Sequence, residues 1–100
     1  ERWYPAWDAV LSHIQKAEEF LTIIQSQQVR DRLVQLLVWL SQKFGRQTER
    51  GRLIEIRLTH QELAEVINTS RVTITRLINE LEREQAIARR QRYLILLDNQ

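Results

Sequence analysis

The chain has 100 residues, with no cysteine, no methionine, one proline and two glycines. Without cysteine there is no disulfide framework, no thiolate metal site and no cysteine nucleophile. The two histidines, His13 and His60, lie too far apart to form a ligand motif, so no metal site is expected. No apolar run approaches the roughly 18 residues of a membrane span, and no signal-peptide pattern is present. The expectation is therefore a cytoplasmic protein with no membrane partner. No nucleophile and base are paired and no glycine-rich loop could cradle a phosphate, so no catalytic residue is nominated and an enzyme is not expected. The absence of methionine, and a start at Glu1 inside a continuing pattern, lead us to expect a piece of a longer protein.

What is present is a small domain's worth of apolar residues and an uneven distribution of charge. Residues 1–42 carry four bases and five acids, whereas residues 43–100 carry eleven bases and eight acids. Ten of those eleven bases are arginine, the side chain suited to forked contacts with phosphate and guanine. A solvated Arg-rich surface accounts for the composition equally well, so the position of the arginines has to decide.

Pro5 suits a helix N-terminus, where its missing N–H would be unpaired in any case. From there to about Gln28, Trp7, Ile14 and Leu21 share one heptad position and Val10, Ala17 and Ile24 share another. This spacing predicts a long helix with a coiled-coil seam, and a dimer seam is favoured over packing on its own domain. After the polar break Gln25-Ser-Gln-Gln28, Val29, Leu33, Leu36, Leu37 and Leu40 predict a second amphipathic helix, which Gly45 stops. A polar loop over 46–52 and a short strand over 53–58 follow. The division expected is a dimerisation helix over 1–28 and a second unit over 29–100.

Thr59-His-Gln-Glu62 has the form of a capping box and starts a helix at about His60. That helix buries Leu63, Ala64 and Ile67 and ends near Asn68, a residue that tolerates left-handed backbone. Ser70 can cap the next helix, about 70–83, which buries Ile74, Leu77, Ile78 and Leu81. Residues 86–89 and 93–97 then read as two strands around the basic turn Arg90-Gln-Arg92. The expected fold is mainly α with a small β-sheet: a winged helix-turn-helix preceded by a long dimerisation helix.

Once the aliphatic face is assigned to the core, Arg71, Val72, Thr75, Arg76 and Asn79 face outward together. An exposed valine between two arginines suits a DNA major groove, where Arg can fork to guanine O6 and N7 and an apolar group can rest on a thymine methyl. Arg71, Val72, Thr75 and Arg76 are thus the candidate base readers, while Asn79 has no assigned role. His60 and Gln61 at one helix start, Ser70 and Thr73 at the next, and Arg90 and Arg92 on the wing are candidate phosphate contacts.

The stretch Leu-Thr-His-Gln-Glu-Leu-Ala-Glu-Val-Ile-Asn-Thr-Ser-Arg-Val-Thr-Ile-Thr-Arg-Leu-Ile (58–78), with the preceding helix from Arg30 and the wing, resembles the C-terminal part of the Crp/Fnr family of bacterial transcription regulators. Arg-Val-Thr-Ile-Thr-Arg, with Phe44-Gly45, resembles its cyanobacterial nitrogen-control branch. The resemblance implies a homodimer joined by a long parallel helix, here 5–28, with one recognition helix in each of two successive major grooves of a near-palindromic double-stranded DNA. It implies base reading by Arg71 and Arg76, and phosphate contacts from Gln61, Ser70, Thr73, Arg90 and Arg92. It also implies a small-molecule effector on a preceding β-barrel, with no cofactor in this chain, and contact of the Arg46–Arg52 loop with RNA polymerase. Two positions depart from the pattern: Val72 stands where several members have a base-reading Glu, and Asn68 replaces a common turn Gly. The competing reading is a winged-helix protein-interaction module in which Arg71, Val72 and Arg76 contact a partner protein.

Overall fold

The computed structural model describes residues 28–98. The seam positions Trp7, Val10, Ile14, Ala17, Leu21 and Ile24 lie outside the described residues. Within them, helix α1 (Val29–Phe44) is followed by strands β1 (Gly45–Gln47) and β2 (Gly51–Ile54), then helices α2 (His60–Ile67) and α3 (Arg71–Arg83). Strands β3 (Ile87–Arg90) and β4 (Tyr93–Leu97) close the order. The antiparallel sheet runs β1-β2-β4-β3, so β2 pairs with β4 and joins the first hairpin to the second. This is the expected winged helix-turn-helix, with one strand more than the sequence suggests.

The extra strand comes from the polar stretch 46–52. Instead of a loop it supplies most of a hairpin, with Arg46 opposite Leu53 and Gln47 opposite Arg52. The strand expected at 53–58 accordingly starts earlier, at Gly51, and ends at Ile54. The physical reason lies in Gly51, whose φ is +155° and whose α-carbon faces the β4 backbone. An added β-carbon there would come within 2.2 Å of the Leu96 carbonyl oxygen. Polar side chains hide such a strand from any test of alternation.

Gly45 does end α1, by a different device from a left-handed cap. Its backbone is extended (φ −105°, ψ 164°), and the chain passes directly into β1. A β-carbon at Gly45 would lie 2.1 Å from the Ser41 carbonyl oxygen. The carbonyls left unpaired at this helix end are met by Arg52, which donates from Nε to Ser41 O at 2.9 Å and from Nη2 to Gly45 O at 2.9 Å. One of the arginines that gives the C-terminal part its basic excess is therefore an internal helix cap. Arg32 plays a similar part for α2, donating from Nε to the Ile67 carbonyl at 3.0 Å.

The core forms where the three helices meet one face of the sheet. Leu33, Leu36, Leu37 and Leu40 of α1, Leu63, Ala64 and Ile67 of α2, and Ile74, Leu77, Ile78 and Leu81 of α3 are buried there with Ile54 and Ile87. Trp39, outside the expected stripe of α1, is also buried and meets Phe44 edge-on, with ring centroids 6.3 Å apart. Alternation along the strands puts Leu53, Ile95 and Ala88 in one register row on the opposite face, where they form a second buried cluster. Among the described residues, no helix is long and apolar enough to cross a membrane.

Candidate nucleic-acid interface

Local chemistry sets the angle between α2 and α3. Thr59 accepts the Glu62 N–H at 3.0 Å, and the Glu62 carboxylate accepts the Thr59 N–H at 2.8 Å, completing the capping box. At the other end Asn68 takes the left-handed conformation (φ 61°, ψ 61°), and the N–H groups of Asn68 and Thr69 both donate to Ala64 O. Three residues, Asn68 to Ser70, make the turn. Ser70 then caps α3 by accepting the Thr73 N–H at 3.1 Å. These contacts direct the N-terminus of α3 outward while its aliphatic face stays in the core.

On the outward face, Arg71, Val72, Thr75, Arg76, Asn79 and Arg83 line a shallow open groove. Arg71 and Arg76 are exposed, and Val72 is 68 % exposed, a large apolar surface for a helix position with no neighbour over it. Arg76 donates from Nη1 to Glu80 at 2.9 Å, one turn along. Such an exposed pair contributes little to stability and can exchange for another acceptor. Thr75 is placed differently from its neighbours: its Oγ1 lies 2.8 Å from Nδ1 of His60, across from α3 on the first turn of α2.

Of the expected phosphate contacts, His60 is half-buried, and its imidazole is held below its usual pKa by burial first and then by the positive charges of Arg89 and Arg71. Gln61 is exposed and bonds Glu65 at 3.2 Å. The backbone N–H groups of His60 and Gln61 belong to the first turn of α2, where a helix has no internal acceptor for them. The Ser70 hydroxyl, besides capping α3, donates to Thr73 Oγ1 at 2.9 Å, so the two hydroxyls are engaged with each other. Arg90 and Arg92 are exposed on either side of Gln91, which holds φ at 58° in the wing turn. Arg92 also lines a crevice with Leu58 and Leu63, which sets the wing tip beside the start of α2.

Two residues join this surface that the outward set omits. Arg83 continues the groove; helical spacing from Arg76 and Asn79 could have found it. Arg89 donates from Nη2 to Asn79 Oδ1 at 2.8 Å and pairs with Glu82 at 3.1 Å, tying the wing strand to α3. Nothing in the local sequence signals that contact, and it gives Asn79 a structural partner.

A helix presented in this way beside a two-stranded wing defines a winged-helix domain. The family model for the Crp-like helix-turn-helix domain matches residues 31–100, and the chain belongs to that family. Among its relatives, regulatory protein CysR of Synechococcus elongatus is 34 % identical over 92 residues, which is 89 % of this chain and 45 % of that one. The global nitrogen regulator of the same organism is 35 % identical over 77 residues, 77 % of this chain and 35 % of the relative. This chain thus spans less than half the length of either relative. Among solved structures, the CO-dependent transcription factor CooA of Carboxydothermus hydrogenoformans superposes with a TM-score of 0.64 at 30 % identity, over 70 % of this chain and 33 % of that one. A CRP-family regulator of Thermus thermophilus superposes with a TM-score of 0.70 at 21 % identity, over 89 % of this chain and 45 % of its own, a likeness of fold.

Proposed function

We propose that this chain is the DNA-binding part of a transcription regulator that reads a near-palindromic site as a homodimer, one α3 per major groove. The observation that carries the reading is the α3 groove, in which Val72 stands exposed between Arg71 and Arg76 at the capped end of the helix. A helix N-terminus carrying forked donors and an apolar contact matches the donor, acceptor and methyl pattern of the major groove. In this reading Arg71 and Arg76 fork to guanines and Val72 rests on a thymine methyl. The start of α2 at His60 and Gln61, the cap at Ser70 and Thr73, and the wing arginines Arg90 and Arg92 hold the flanking phosphates. The names of CysR, the nitrogen regulators and CooA support regulation of transcription as the role.

The remaining parts of the reading concern the whole protein. In this reading the contact between the two copies comes from residues 1–28, and an effector is sensed by a further domain outside this chain. The β1–β2 hairpin, with Arg50 exposed at its turn, is the surface offered to RNA polymerase. Arg52 is excluded from that surface because its guanidinium is committed to the end of α1.

Selection of bound sequences from a random duplex pool tests the central claim. The expected result is an enriched near-palindrome with half-sites about one helical turn apart, and loss of that enrichment in Arg71→Ala plus Arg76→Ala. Absence of any enriched site, or enrichment unaltered in the double variant, overturns base reading and favours a protein-interaction role for the same groove.

A further inference from the structure

Thr75 is the member of the candidate base-reading set whose polar atom is engaged by another helix, whereas the Arg76 contact with Glu80 stays within α3. Its Oγ1 meets His60 Nδ1 at 2.8 Å, a contact between residues fifteen apart that bridges the two helices of the motif. Both side chains are half-buried, so the bond is only partly open to competition from water. In the imidazolium form both ring nitrogens donate, so Nδ1–H gives its hydrogen bond to the Thr75 oxygen and the threonine serves as the ring's acceptor. The bond also fixes the imidazole ring, leaving Nε2 as the ring atom free to face a ligand.

The charges that act on that ring's titration are positive. Arg71 acts on it from α3 and Arg89 from β3. On its own helix, the Glu62 carboxylate is used by the Thr59 N–H and Glu65 by Gln61. From α1, Arg32 is committed to the far end of α2 at Ile67. Of the neighbouring acids on α3, Glu80 is shared by Arg76 and Arg30, and Glu82 is held by Arg89. The ring is therefore disfavoured as imidazolium in the free protein, by burial first and then by these arginines; a polyanion laid against Arg71 and Arg89 offsets the arginines' share, and a phosphate on the ring favours its charged form.

We propose that Thr75 is a positioning residue for His60, and that His60 meets a backbone phosphate of bound DNA as imidazolium, so that DNA binding takes up one proton at this ring. The proposal rests on the DNA-binding reading and reassigns Thr75 within it. The sign follows from linkage. The pKa of His60 is lowered in the free chain and rises beside phosphate, so affinity increases as pH falls from the bound-state pKa towards the free-state pKa. The steepest gain one proton allows is about tenfold per pH unit.

The test measures the affinity of the full-length protein for the selected duplex between pH 8 and pH 5.5 at constant salt, with proton uptake measured calorimetrically in two buffers of different ionisation enthalpy. The wild type is expected to bind more tightly as pH falls, with uptake of up to one proton. His60→Asn, which keeps an amide near the Nδ1 position but does not titrate, removes a phosphate contact and should bind more weakly than the wild type at every pH; the readout is its pH slope, which should lack the extra tightening. The difference isolates His60 from other titrating groups, His13 included. Thr75→Val should lower the uptake and flatten the profile, and Thr75→Ser should restore both, a rescue that a purely steric role does not produce. Tight sequence-specific binding with equal pH slopes in wild type and His60→Asn overturns this inference and leaves the DNA-binding reading standing. No binding to any duplex at any pH overturns both.

Discussion

Along α3, Ile74, Leu77, Ile78 and Leu81 are no more than 3 % exposed, while Val72 on the other side is 68 % exposed in a groove edged by arginines. The two faces belong to one thirteen-residue helix and answer to different constraints. The buried face holds α2, the sheet and α1 together, and any loss of volume there is a loss of fold. The outer face makes only side-chain hydrogen bonds, Thr75 to His60, Asn79 to Arg89 and Arg76 to Glu80, and Val72 is largely exposed, so its residues carry far less of the fold. A face so lightly constrained by folding that still carries forked donors around an apolar contact is best understood through what it binds.

The comparison can be broken most directly on the buried side. Ile78→Ala removes a fully buried side chain where helices meet and should cost about 2–5 kcal/mol of unfolding free energy. Denaturant titration measures this, and a cost below about 1 kcal/mol would show that α3 is not anchored through this face. On the outer side, Val72→Glu should leave stability within about 0.5 kcal/mol. It should shift preference at a single base pair, by about 1–3 kcal/mol and away from thymine, as read by competition between duplexes differing at that pair. Equal shifts at many positions would mean that Val72 is not a local reader. The smallest effect belongs to the wing. Arg90→Ala should weaken binding to all duplexes alike and reduce the slope of log affinity against log salt by about one, with unchanged sequence preference. A change of preference there would move Arg90 from the phosphate set to the readers.

The second hairpin and the first show how far such features can be read in advance. Tyr93-Leu-Ile-Leu-Leu97 has the apolar character of a paired strand, and β4 lies over those residues. Its partner β3 begins one residue later than expected, at Ile87, because Gln85 takes a left-handed turn and the Ala86 N–H closes α3 on Leu81 O. The first hairpin is legible only in part. Gly45-Arg-Gln47 has no apolar residue to report a strand, and Gly51 owes its place to the backbone of a strand more than forty residues away. Arginine composition misleads in the same way. Arg52 caps a helix and Arg46 pairs with Glu55 at 2.8 Å, neither of which a count of charges can separate from a DNA contact.

Features that close within a few residues are already present in the order of residue types: the capping box at Thr59, the left-handed Asn68, the Ser70 cap and the three-four spacing that divides α3 into two faces. These need only short-range hydrogen bonds and helical periodicity, which the order of residue types contains. The pairing of distant groups comes from packing: Arg52 with the end of α1, Arg89 with Asn79, and His60 with Thr75. Each of these polar side chains has several possible partners of the right chemistry along the chain. The choice among them is made when the core packs and brings one of them within hydrogen-bond distance.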